Sequence, residues 1–266
     1  MEYLFNDWNS IWKQLKATKY KVMLFDYDGT LAPIVDRPEI AHLPQETKVM
    51  LEKLSRKPGV TVGIISGRAI SDIRNMVDLD NIIFAGNHGL EIEGPGIKYI
   101  HPLTDEIKSL MRVIGRVLSK AMAGIRGVIV EDKGLSLSVH YRQVDAEQLP
   151  HVDAIFDNTV DMGRKWGKIR TSSGKKVHEV RPAVPWHKGK AVQMILDKFL
   201  PKNVRGSYLS MYLGDDLTDE DAFQTINNAG GISIFVGASG QKSAAAYYLN
   251  DTAEVRTLLA EVLKIA

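Results

Sequence analysis

The sequence predicts a doubly wound parallel α/β sheet interrupted by a smaller α+β unit. Three observations predict it. Short apolar runs at residues 22–24, 60–65, 82–85, 208–213 and 232–236 have the character of strands buried on both faces. Stretches with helical spacing separate them, the alternation that builds a parallel sheet. From about residue 100 to residue 182 the pattern changes to two hairpins and two helices, the signature of a separate antiparallel layer. The expected division is a core of residues 1–100 and 184–266, with an inserted cap of residues 101–183.

At 266 residues the chain fits one large domain or two modest ones. A formal net charge of +2 gives no global field toward nucleic acid or a membrane surface, and neither is expected as a partner. With no cysteine there is no disulfide and no thiolate metal site. Residues 1–20 mix apolar side chains with Asp7, Lys13, Lys16 and Lys19 and do not resemble a signal peptide. No run reaches the length of a membrane span. The expectation is a soluble cytoplasmic protein. No repeat or low-complexity tract is present.

Residues 4–16 place Leu4, Phe5, Trp8, Ile11, Trp12 and Leu15 at helical spacing and read as a helix packed on the core. The strand at 22–24 runs into Phe25-Asp26-Tyr27-Asp28-Gly29-Thr30. Residues i and i+2 of an extended segment point the same way, so Asp26 and Asp28 reach one small volume beyond the strand's carboxyl end. Two carboxylates so close require a cation or a shared proton. Asp-x-Asp-Gly-Thr is also turn chemistry, or part of a calcium loop. The later acidic positions of such a loop are held here by Ala32, Pro33 and Ile34. Pro33, Pro38 and Pro44 mark an irregular loop, and 45–57 reads as a helix.

The strand at 60–65 ends in Ser66-Gly67-Arg68 before a helix at 69–77, a corner able to bind an anion through the Ser66 hydroxyl and free helix N–H groups. Ser is also a common N-cap, and Arg68 reads as a capping or acid-pairing residue. The strand at 82–85 leads to Gly86-Asn87-His88-Gly89-Leu90-Glu91, a polar loop suited to a ligand's hydroxyls. In the cap, helices are expected at 103–122 and 145–162. Hairpins are expected at 127–142, turning at Asp132-Lys133-Gly134, and at 168–180, turning at Ser172-Ser173-Gly174. The core resumes with His187-Lys188-Gly189-Lys190 and a helix at 191–200. The strand at 208–213 ends in Gly214-Asp215-Asp216-Leu217-Thr218-Asp219-Glu220-Asp221. So many acids at one strand tip are costly without cations; a helix starting near Asp219 offsets only part. A strand at 232–236 and a helix at 251–264 close the chain.

In a parallel sheet these strand ends share one edge. The set excludes hydride transfer, since no Gly-x-Gly-x-x-Gly follows the first strand. It also lacks an ATPase phosphate loop and a Gly-x-Ser-x-Gly elbow. Two acids, a metal-binding acid pair, a hydroxyl and an ammonium suit a carboxylate nucleophile that forms an aspartyl-phosphate.

On these residues the chain resembles the haloacid-dehalogenase-like phosphohydrolases: Asp26-Tyr-Asp28-Gly-Thr30, Ser66-Gly-Arg68, Lys188 and Gly214-Asp215-Asp216-x-x-Asp219 match the family's four motifs in order. Glu131 to Gly134, His140 to Arg142, Glu179 to Pro182 and the loop at 86–91 extend the resemblance to the trehalose-6-phosphate phosphatases. The resemblance implies Asp26 as nucleophile and Asp28 as general acid, then base. It implies Mg2+ on Asp26, the Asp28 carbonyl and Asp215, with Asp216 and Asp219 supporting the metal or Lys188. Thr30 and Ser66 should bond phosphate. Asn87, His88 and Arg142 should line the passage between core and cap, and Glu131, Lys133, Lys176 and Glu179 should bind glucose hydroxyls; exposed Lys and Glu on hairpins are otherwise solvated. Lys190 is expected to face solvent. The implied reaction is hydrolysis of trehalose 6-phosphate, a small-molecule sugar phosphate. The alternatives are a phosphatase of sucrose, glucosylglycerol or mannosylglycerate phosphate, or a non-catalytic sugar-phosphate-binding domain. Cap closure is expected on hinges near 94–96 and 182–185.

Overall fold

The computed structural model describes residues 1–35, 40–200 and 208–265; Pro38 lies outside them. The chain forms two compact units, Met1–Ile100 with Trp186–Ala266, and His101–Pro185. Among the described residues no helix is long and apolar enough to cross a membrane.

The first unit begins with β1 (Glu2–Tyr3), α1 (Trp8–Ala17), β2 (Tyr20–Phe25), α2 (Gln45–Ser55), β3 (Val60–Ile65), α3 (Ile70–Val77), β4 (Ile83–Gly86), β5 (Glu91–Gly94) and β6 (Ile97–Ile100). The second contains α4 (Asp105–Met122), β7 (Ile129–Asp132), β8 (Leu137–His140), α5 (Leu149–Lys165), β9 (Ile169–Gly174) and β10 (Val177–Pro182). The first resumes with α6 (Lys188–Phe199), β11 (Tyr208–Gly214), α7 (Glu220–Asn228), β12 (Ile232–Val236), β13 (Tyr247–Leu249) and α8 (Thr252–Leu263).

The nine-stranded sheet has the order β1-β13-β12-β11-β2-β3-β4-β5-β6, parallel from β1 through β4. Alternate residues of β2 serve its two faces. Met23 and Phe25 join Leu15, Leu51, Ile73 and Leu258 in one core, whereas Val22 and Leu24 join Val192, Ile195 and Phe223 in the other. Complete burial of each such side chain stabilises by about 1.5–3 kcal/mol, which is why an almost uninterrupted apolar strand sits mid-sheet. From β2 the chain winds one way to β3, while β11 lies on the other side. This is a switch point, where open sheets bind ligands. Phe25 pairs with Leu213, and the Asp26 N–H donates to the Leu213 carbonyl at 2.8 Å, so the tips bearing Asp26 and Asp215 are neighbours.

Several boundaries differ from expectation. Leu4–Asn6 is a separate 3-10 turn, so the first helix starts only at Trp8. The helix expected from 145 is preceded by a 3-10 turn at Ala146–Gln148 and starts at Leu149 with Pro150 in its first turn, where a missing N–H costs nothing. Residues 94–96, expected as a hinge, are instead the turn joining antiparallel β5 and β6. Gly96 supplies its left-handed φ of +73°.

In the second unit the sheet order is β7-β8-β10-β9, antiparallel throughout. Thr104 caps α4 by accepting the Ile107 N–H at 3.3 Å. Leu118, Val152, Phe156 and Val160 from the two helices pack on Leu137, Val139, Ile169 and Val180. Across the strands Glu131, Ser138, Glu179 and Ser172 lie side by side in one row. His178 sits against Tyr141 and Phe156, each ring centroid at 4.6 Å, and bonds Asp153 at 2.7 Å and Ser173 at 2.9 Å, tying the β9–β10 hairpin to α5.

Candidate active site

Asp26 is the first residue beyond β2 and is buried. Its Oδ1 accepts a hydrogen bond of 2.7 Å from Lys188 Nζ, and its Oδ2 makes no hydrogen bond among the described residues. Lys188 opens α6 and is buried in turn. It also donates to Asp219 Oδ1 at 2.7 Å. Asp219 is fully enclosed. Tyr212 O–H donates to the same Oδ1 at 2.5 Å, and the Asp215 and Asp216 N–H groups each donate to Oδ2 at 3.1 Å. Four donors thus occupy the four lone-pair positions of one carboxylate. Asp216 turns the chain after β11, accepting from the Thr218 N–H at 2.8 Å and Thr218 Oγ1 at 2.7 Å.

Asp28 is held differently. Arg68 Nε and Nη2 donate to its two oxygens, each at 2.7 Å, in a fork-on-fork pair. The intervening turn is closely fitted: Gly29 has φ +87°, and a Cβ there would fall 2.2 Å from Asp215 Oδ2. The Thr30 hydroxyl in this turn is buried and has no partner among the described residues. A buried orphan hydroxyl costs about 1–3 kcal/mol, and this one has its proton free to donate. Ser66 Oγ accepts the Arg68 N–H at 3.2 Å, which leaves its O–H proton to give.

Asn87 and His88 both adopt left-handed φ, 51° and 56°, ahead of Gly89 at 90°. Non-glycine residues in this region carry strain. Their N–H groups bond the Arg68 and Ser66 carbonyls at 2.7 and 2.9 Å, Asn87 Nδ2 bonds Glu91 at 2.7 Å, and Trp186 Nε1 bonds the Gly89 carbonyl at 2.7 Å. The loop therefore stands directly against the Ser66-Gly67-Arg68 corner; a Cβ at Gly67 would lie 2.7 Å from the His88 ring.

Burial pushes the Asp26 carboxyl well above the ordinary range; Lys188 pulls it down, while Asp219, Asp215 and Asp216 push it further up. Burial likewise raises Asp219 to about 7 against the pull of Lys188. Burial alone would lower the Lys188 ammonium, but Asp219 and Asp26 outweigh it and hold it well above its usual value. Burial opposes ionisation of Asp216, yet Lys188 and the Thr218 bonds keep its carboxyl below the ordinary range. Carboxylate oxygens of Asp26, Asp215 and Asp219 lie within 4.8 Å of one another. One ammonium does not balance three buried carboxylates. An all-oxygen donor set of this size suits a hard divalent cation. Because Asp219 has its lone pairs filled, Asp26 and Asp215 are the carboxylates suited to such an ion.

A family profile described as Trehalose-phosphatase matches residues 24–253. A probable trehalose-phosphate phosphatase of Oryza sativa is 35% identical over 261 residues, covering 92% of this chain and 69% of that protein. The chain belongs to the trehalose-phosphatase family. Within this family, the trehalose 6-phosphate phosphatase RA3 of Zea mays is 34% identical, covering 92% of this chain and 71% of that one. The C-terminal domain of a Candida albicans trehalose-6-phosphate phosphatase superimposes with a TM-score of 0.83 over 97% of both chains, at 24% identity, a likeness of fold. The protein is thus a phosphatase of the haloacid-dehalogenase-like kind.

The trehalose-phosphatase fold brings Asp26, Asp215, Asp219 and Lys188 into one network, with Asp28 on Arg68 and the Thr30 and Ser66 hydroxyls in the adjoining turns. Lys190 is exposed. In the second unit Lys133 Nζ lies 3.9 Å from Glu131 and 4.0 Å from Glu179. Arg142 donates to the Lys175 carbonyl at 2.8 Å, and Lys176 occupies the β9–β10 turn with φ +68°. Two participants were not singled out from sequence. Tyr212 sits in a strand among core residues and carries no motif; only its contact with Asp219 reveals it. His140 stands in the His140 to Arg142 segment, and only its 2.8 Å contact with Glu131 reveals it.

Proposed function

We propose that this enzyme hydrolyses trehalose 6-phosphate to trehalose and inorganic phosphate, with Asp26 as the nucleophile. The observation that carries the reading is the Asp26 carboxylate itself: buried at a switch point, bonded through Oδ1 to Lys188, with Oδ2 left to attack. The names of the relatives supply the substrate.

Asp26 Oδ2 forms a bond to phosphorus as the bond to the sugar oxygen breaks. Lys188 neutralises charge on the phosphoryl group, and the Thr30 and Ser66 hydroxyls donate to its oxygens. Asp28, which takes up a proton as its fork with Arg68 opens, gives that proton to the departing sugar oxygen. It then takes one from the water that attacks the phosphoryl-aspartate, which releases phosphate and restores Asp26. Asp26, the Asp28 carbonyl and Asp215 would hold Mg2+, which when bound supplies further positive charge to the phosphoryl oxygens. Asp219 is the anchor for Lys188. Residues 1–100 and 184–266 carry the chemistry, and residues 101–183 recognise the sugar through Glu131, Lys133, Lys176 and Glu179. Asn87, His88 and Arg142 contribute polar contacts to the sugar.

Phosphate release from trehalose 6-phosphate tests this directly. Activity with Mg2+ should vanish in excess chelator and return on adding the ion back; chelator-resistant turnover would remove the metal. A panel containing sucrose 6-phosphate, glucosylglycerol phosphate and mannosylglycerate phosphate should show the highest kcat/KM for trehalose 6-phosphate, and a large preference for another would replace the substrate. Arg68→Lys, which loses the planar fork on Asp28, should lower kcat about 10–100-fold with little change in KM. Unaltered kcat would show that Asp28 needs no such partner.

A further inference from the structure

The row Glu131–Ser138–Glu179–Ser172 contains a side chain with no assigned role. Ser138 lies at the centre of the four-stranded sheet and is 1% exposed. Its hydroxyl is enclosed and has no hydrogen-bond partner among the described residues. A central β position favours a β-branched residue, and a buried hydroxyl without a partner destabilises the fold. Serine is therefore a poor structural choice here. The neighbours explain it. Glu131 and Glu179 flank Ser138 on either side, and the Lys133 ammonium stands about equally far from both carboxylates, at 3.9 and 4.0 Å. Those separations exceed hydrogen-bond length; Glu131 is bonded instead to His140 at 2.8 Å, and Glu179 accepts from the Ser172 hydroxyl at 3.3 Å. The two carboxylates thus belong to the strand neighbours of one small side chain that keeps a donor and two acceptor positions.

We propose that Ser138 is a specificity-determining residue whose missing partner is a hydroxyl of the sugar, held among Glu131, Lys133 and Glu179. This rests on the assignment of those three side chains to the sugar of trehalose 6-phosphate. A site built to bond a hydroxyl rejects ligands that lack it, because its own polar group is then left buried and unpaired.

The test is Ser138→Ala, assayed with trehalose 6-phosphate and with p-nitrophenyl phosphate, which offers the same ester but no sugar, and followed by thermal unfolding. Removing an orphan hydroxyl should raise Tm by about 2–4 °C. kcat/KM for trehalose 6-phosphate should fall about 5–10-fold, through KM, while p-nitrophenyl phosphate hydrolysis stays unchanged. A residue with a merely structural role would not separate the two substrates. Unchanged kcat/KM for trehalose 6-phosphate, or an equal fall for both substrates, overturns the role of Ser138 and leaves the function standing. Wild-type enzyme inert toward trehalose 6-phosphate but active on p-nitrophenyl phosphate overturns the substrate and the Ser138 role with it.

Discussion

Asp26→Asn should fold as the wild type does and release no phosphate. The amide matches the carboxylate in size, and its oxygen still accepts from Lys188, so the 2.7 Å contact has a successor. It also removes one of three crowded carboxylates whose oxygens lie within 4.8 Å of one another, which offsets the loss of an ion pair with Lys188. Tm should move by only a few degrees. Chemistry has no such compensation, because an amide is a far weaker nucleophile toward phosphorus. Loss of a nucleophile that acts as one unit with its partners costs on the order of 10⁴–10⁶-fold in kcat. Phosphate release under single-turnover conditions, alongside a thermal melt, checks both halves. Retained turnover in a folded variant would remove the covalent route.

Asp219→Ala should give the largest loss of stability of any single change in the site. It strips four hydrogen bonds at once, leaves the Lys188 ammonium with Asp26 alone, and strands the Tyr212 hydroxyl and two N–H groups in the interior. Breaking a buried charged network from one side costs about 3–5 kcal/mol, a large share of a domain's total stability. Asp219→Asn is the milder companion. Its Nδ2 donates and cannot accept, so one side of the residue faces donors with a donor. Urea unfolding should place both variants below wild type in the order Asn above Ala, and both should lose most activity as Lys188 is released. A wild-type midpoint for Asp219→Ala would show that Lys188 is secured by something else.

What the sequence makes legible follows from strand physics. A strand buried on both faces has to be apolar, so the polar residue that ends it announces itself; Asp26, Ser66 and Asp215 all stand at such transitions. Parallel pairing then puts these ends on one edge, and the Phe25–Leu213 register makes two of them adjacent. Contacts that depend on which side chain turns toward which are illegible. Nothing in the spacing says that Arg68 closes its fork on Asp28, or that Tyr212 reaches Asp219 from within a strand. Short elements are lost too. The pairing of β1 with β13 spans two residues, too few for any period to show, and β5 and β6 hide because Glu91, Glu93 and Lys98 dilute their apolar positions. Ser138 was invisible for another reason. One serine in an alternating strand reads as an outward polar residue, and only its burial sets it apart.

The stacking of Tyr99 on Trp186, ring centroids 5.0 Å apart, pins the chain where it leaves the first unit to where it re-enters. The excursion of residues 101–185 therefore starts and finishes at one staple on a completed scaffold, and it brings its own apolar centre. Such a loop can be exchanged, lengthened or redesigned as a cassette. Evolution or an engineer can alter residues 101–185 downstream of that staple with the two cores of the first unit left as they are.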